Sequence, residues 1–143
     1  MSVSSHPYCK PEAYPWVMPC LVVPDISRSI AFYQQAFGFE FKDKSIDAKS
    51  GDCYCAELTY RDHIIFLTLE DFDDREQQAP VSNHVLSSMW LYLYCDDVDA
   101  LYAQALAAGA SSHRSPRHMS WGERMCTLIG INGYRWSFAT VNS

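Results

Sequence analysis

The stretch "SMWLYLYCDDVDALYAQALAAGA", Ser88–Ala110, decides the fold. Its first part alternates, with Trp90, Tyr92 and Tyr94 on one face of an extended chain. Asp96 or Asp97 then supplies an acidic cap, an alanine-rich helix follows, and Gly109 stops it. A shift of 72 positions lays Asp97 on Asp25 and Val98 on Ile26, with one residue lost before the second glycine. The earlier copy reads "VMPCLVVPDISRSIAFYQQAFGFEF", from Val17. It has an apolar strand ended by Pro24, a cap at Asp25 or Ser27, and helical spacing of Ile26, Ile30, Tyr33 and Phe37. Gly38 is its left-handed stop.

Working outward, each copy continues as strands. In the first, "FEFK" restarts an extended chain, "DKSIDAKSGD" is a polar turn, and "CYCAELTY" and "HIIFLTLE" pair through a tight connection at Arg61 and Asp62. In the second, "SSHRSPRHMSWG", "ERMCTLIGI" and "YRWSFAT" complete the same order, the first of them carrying a polar loop around His113 and His118. The pattern is β-α-β-β-β twice: module one at about 15–70, module two at 84–141, joined by the acidic, proline-bearing linker 71–83. Residues 1–15 read as an arm. A chain of 143 residues with 48% hydrophobic content suits a single domain, 1–143. The expected architecture is α+β: two tandem modules forming a curved mixed sheet around a concave cavity, with helices outside.

Charge and cysteines narrow the partners. A formal net charge of -6 gives no basic surface for nucleic acid or an anionic membrane, so neither is expected as a partner. The start of the chain is polar and proline-punctuated, which makes six cysteines read as reduced thiols of a cytoplasmic protein. Cys20, Cys95 and Cys126 lie in apolar runs and behave there as small hydrophobes. Cys53 and Cys55 share a strand face, but with His6 and Cys9 they complete no zinc spacing.

The segments Pro19–Phe41, Leu91–Ala110 and "WGERMCTLIGINGYRW", Trp121–Trp136, together resemble the vicinal oxygen chelate superfamily of glyoxalase, bleomycin-resistance proteins and extradiol dioxygenases. The likeness is nearest its glyoxalase-like, PhnB-like branch and runs from Trp16 to Thr140. One departure is Gly130–Ile131, where relatives tend to carry Asp-Pro. The resemblance implies a homodimer, and a cavity in which metal-dependent members draw ligands from four strand positions. Here those positions fall on Met18, Phe66, Trp90 and Ser137. Divalent ions need imidazole or carboxylate donors, and a slip of two residues brings in only Cys20, Tyr92 or Thr68. No metal and no cofactor are therefore expected.

What remains for the cavity is aromatic. Trp90, Tyr92 and Tyr94 share a face, as do Trp136 and Phe138, with Met18, Cys20, Val22 and Phe66 contributed by module one. Strand alternation alone equally describes core packing. The turn "SWGER" places Trp121 to stack on a planar ligand and Arg124 to meet its negative end, or else forms a structural turn with Arg124 paired to Glu123 or a linker acid. His63, His84 and His113 read as solvated; His118 is a candidate proton carrier. Two functions follow. One is a metal-free protein sequestering an aromatic or hydrophobic ligand, neutral or anionic, through Met18, Cys20, Phe66, Trp90, Tyr92, Trp121, Arg124 and Trp136. The other is a glyoxalase-like lyase or related enzyme using His118, Arg124 or Tyr92.

Overall fold

A computed structural model describes residues 9–72 and 76–142. His6 and the linker acids Asp73 and Asp74 lie outside the described residues. The order is β1 (Cys20–Val23), α1 (Ile26–Phe37), β2 (Glu40–Ile46), β3 (Cys53–Tyr60), β4 (His63–Leu69), a short 3-10 turn (Pro80–Asn83), β5 (Trp90–Tyr94), α2 (Val98–Ala107), β6 (Ser111–His118), β7 (Glu123–Ile129) and β8 (Arg135–Val141). The strands make two four-stranded sheets, β1-β4-β3-β2 (sheet A) and β5-β8-β7-β6 (sheet B), so the β-α-β-β-β pattern is realised twice. In each, the first strand pairs in parallel with the last and the other pairs are antiparallel.

The caps are those of the aspartates nearest the helices. The Asp25 carboxylate accepts from the Arg28 N–H at 3.0 Å, and that of Asp97 from Ala100 at 3.1 Å. Each satisfies an amide that the helix leaves without a partner. Gly38, at φ 73, closes α1 in the left-handed region and returns its N–H to Gln34 and Tyr33.

Two polar stretches read as turn or loop are strand instead: β2 continues to Ile46, and "SSHRSPRH" is β6. Both are the outermost strands of their sheets. An edge strand needs no apolar face if its pairing side is satisfied, and polar side chains there discourage further pairing. The linker is tied down after Glu76. Glu70 Oε2 accepts from the Ala79 N–H at 3.1 Å and the Ser82 hydroxyl at 2.8 Å, and the Val81 N–H donates to the Asn132 carbonyl at 3.0 Å.

One core draws on both modules. Leu21, Val23, Leu58 and Leu67 of sheet A and Cys126, Leu128, Trp136 and Phe138 of sheet B join α1 and α2 in it. Pairing of Leu91 with Trp136 and of Leu93 with Phe138 fixes which face of β8 is which. Trp136 and Phe138 are fully buried, and both pack on Phe37 of α1 at ring distances of 5.2 and 4.8 Å. The expectation that Trp136 and Phe138 line the cavity with Trp90 and Tyr92 is corrected. They point to the helix face, and Ser137, paired with Tyr92, occupies the open one. The second helix is capped and packed similarly, with Val98 and Ala105 buried.

Candidate functional site

The open face of sheet B is built by register. From β5 it receives Trp90, Tyr92 and Tyr94; from β8, Arg135, Ser137 and Ala139; from β7, Glu123, Met125, Thr127 and Ile129. Ser137 and Ala139 are small, so the tyrosines of β5 reach across β8 to β7. The Tyr92 hydroxyl donates to Glu123 Oε1 at 2.5 Å, and that of Tyr94 to Oε2 at 2.6 Å. Trp121 Nε1, from the turn before β7, adds a third bond to Oε1 at 3.0 Å. A single carboxylate thus fixes three rings, and Tyr92 and Tyr94 meet edge to face at 5.7 Å.

These bonds shift the groups that make them. The hydroxyls of Tyr92 and Tyr94 hold the Glu123 carboxyl below its usual range. Desolvation, then the bond to Glu123, pushes the Tyr92 phenol up to about 12. Both shifts favour the same arrangement, an ionised carboxylate accepting from neutral phenols. The rings remain accessible: Trp90 is 50%, Tyr94 53% and Trp121 57% exposed. Beneath them, Thr127 and Ser137 satisfy each other at 2.8 Å.

Arg124 is not part of this face. Its parity along β7 matches buried Cys126 and Leu128, and its guanidinium makes a two-pronged bond to Asp99 of α2 at 2.7 and 2.9 Å. The partner is neither Glu123 nor a linker acid, and the expectation that Arg124 meets a ligand's negative end is corrected. His118, in register with Arg124, bonds Asn142 at 3.1 Å and lies on that same helix-side parity.

Sheet A is covered differently. Cys20 and Phe66 are paired on its open face, with Glu57 beside Phe66. Tyr14 of the arm stands edge-on to Phe66, with centroids 6.0 Å apart, and donates to buried Glu57 at 2.6 Å. Lys42 pairs with the same carboxylate at 3.0 Å. Half-buried Met18 continues this segment into β1. Phe66 therefore lines one groove, with Tyr14, Tyr54 and Glu57, while Tyr92 borders another. The second groove, of about 470 Å³, runs between Val17 and Pro19, Ile64 of β4, and Leu91–Tyr94 of β5. That size suits a small organic ligand. At its end the modules are tied by Tyr60 donating to the Tyr94 carbonyl at 2.6 Å and by an Arg61–Asp96 pair at 2.9 Å.

Of the residues expected at the site, Trp90 and Tyr92 share the open face of sheet B with Trp121 beside them, whereas Cys20 and Phe66 belong to sheet A and Met18 lies in the segment before it. Glu123 and Arg135 were missed. Their signal is parity: counted with Met125 and Thr127, Glu123 falls opposite the side of Arg124. The residues at the four positions that the resemblance assigns to metal ligands, Met18, Phe66, Trp90 and Ser137, offer a thioether, two rings and a hydroxyl, a donor set that does not fit a divalent ion. Among the described residues, no three His, Cys, Asp or Glu side chains come together, and no helix is long and apolar enough to cross a membrane.

Comparison with known proteins gives the fold a family. The structure is similar to that of TioX from Micromonospora sp. ML1, with a TM-score of 0.68 at 19% identity over 87% of this chain and 97% of that one. It is also similar to a glyoxalase/bleomycin resistance protein/dioxygenase family enzyme from Burkholderia phytofirmans PsJN, with a TM-score of 0.66 at 22% identity over 87% and 96%. A mutant of the fosfomycin resistance protein FosX from Listeria monocytogenes, complexed with Mn(II) and dihydroxypropylphosphonic acid, matches with a TM-score of 0.63 at 14% identity over 85% and 84%. No curated protein matches in sequence. A family model, however, matches residues 14–138, and the chain belongs to the Glyoxalase/Bleomycin resistance protein/Dioxygenase superfamily.

Proposed function

We propose that this chain is a metal-free small-molecule-binding protein of the superfamily, in its PhnB-like branch, that sequesters an aromatic or hydrophobic ligand in the cytoplasm. The observation that carries the reading is the wall of Tyr92, Tyr94 and Trp121 held by the Glu123 carboxylate. Rings fixed in advance bind a planar ligand without ordering cost, and their exposure leaves their faces available for stacking. An enzyme of this fold that used a divalent ion would need donors which the four inward strand positions lack.

Elemental analysis together with a fluorescence titration tests it. The purified protein is expected to hold less than stoichiometric zinc, nickel, manganese or iron. An aromatic ligand should quench Trp90 and Trp121, assigned by single Trp→Phe variants. Trp121→Ala should weaken that binding by about 1–3 kcal/mol with an unchanged melting temperature, since a half-exposed rim ring carries little packing. One metal equivalent lost on mutating an inward residue, or unchanged binding in Trp121→Ala, would reject the reading.

The site is proposed to close in a homodimer. Trp90, Tyr94 and Trp121, each at least half exposed, leave more apolar surface on one face than isolated exposed side chains would. Sedimentation at micromolar concentration should give a two-chain mass, and a monomer would remove this part of the proposal.

A further inference from the structure

Arg135 begins β8 in register with Trp90 on one side and Ile129 on the other. Residues in register share a sheet face, so Arg135 belongs to the open face of sheet B as the neighbour of Trp90. None of the ion pairs among the described residues includes it, and its Nε is buried with no hydrogen-bond partner. A buried donor on a charged group is costly to leave unmade. Arg124 makes the contrast, since its Nε and a terminal nitrogen are both taken by Asp99.

The other charged groups on this face favour the same sign of ligand. Arg114 and Arg117 of β6 are in register with Thr127 and Met125, which puts two more guanidiniums toward its outer edge. The face's carboxylate, Glu123, is six residues along β7 from Ile129, ~20 Å at the usual rise per residue. It is already occupied by three donors. Arg135 therefore stands at the end of the face away from Glu123, beside Trp90.

We propose that Trp90 and Arg135 form an acid-reading subsite, in which Trp90 stacks on a planar ring of the ligand and Arg135 takes a carboxylate carried by that ring. Guanidinium and carboxylate match as a planar fork, which gives direction as well as attraction. The inference rests on the reading above that this face holds an aromatic ligand, and it adds which charge that ligand bears.

One ring system in three charge states tests it by calorimetry at neutral pH: acridine, 9-aminoacridine as its cation, and acridine-9-carboxylate. The carboxylate is expected to bind about tenfold or more tighter than acridine, the size of one charge-assisted hydrogen-bonded pair. Arg135→Gln should abolish that preference. Arg124→Gln, on the opposite face, should keep it. Arg135→Lys should retain part of it, and serves together with the unaltered protein should Arg135→Gln fold poorly. Equal binding of acridine and its carboxylate by the unaltered protein, or tightest binding of the cation, overturns the inference while the aromatic reading stands. Binding of none of the three overturns both.

Discussion

Trp136→Ala is expected to lower the stability of this protein by about 3–5 kcal/mol, the range for removing a fully buried large aromatic from a packed core. Trp136 has no exposed surface and contacts three rings of module one, Tyr33 at 5.3 Å, Phe37 at 5.2 Å and Phe39 at 5.6 Å. Together with Phe138, it joins the last strand of module two to the first helix of module one. Truncation would leave a void between elements distant in sequence, and rigid strand pairing on both sides of β8 hinders its collapse. Urea unfolding followed by circular dichroism measures the loss. A change below about 1 kcal/mol would mean that the modules do not depend on this contact. Because Trp136 faces away from Tyr92, ligand affinity per folded molecule should be unchanged. A specific loss of binding would restore it to the cavity wall.

Gly133→Ala is expected to cost about 2–4 kcal/mol, from backbone strain and overpacking together. Gly133 has φ +90, and a Cβ there would come within 2.8 Å of the Val81 amide nitrogen and 2.9 Å of Pro80 Cβ. Neither neighbour is the end of a flexible side chain, so the linker turn must move. That motion would break the bond from the Val81 N–H to the Asn132 carbonyl and pull on the pairs that Ala79 and Ser82 make with Glu70. Two readouts check it together: a lower melting temperature, and faster proteolytic cutting within residues 76–86. Unaltered cutting with full stability would show that the turn does not rest on the module-two hairpin in solution.

Repetition of strand, capped helix and glycine stop was legible because each signal is local. Asp25 and Asp97 cap within three residues, and Gly38 needs only its own left-handed backbone. Duplication at a fixed shift then made the module order readable. Of edge strand β2 only the opening "FEFK" was legible, and β6 read as loop, since hydrophobic periodicity reports burial and an outer strand of polar residues has little to report.

The site divides in the same way. By itself, the sequence determined that Trp90, Tyr92 and Tyr94 share a face, because alternation needs no partner strand. Only the tertiary structure decided which face of β8 meets β5. A register moved by one residue exchanges Trp136 for Ser137 and turns a cavity wall into core. Parity along β7 likewise sent Arg124 to Asp99 on α2 and turned Glu123 toward the tyrosines. Those pairs join residues 25 to 31 positions apart. Contacts across such a span are fixed by which strands lie side by side, and a linear pattern carries no record of that choice.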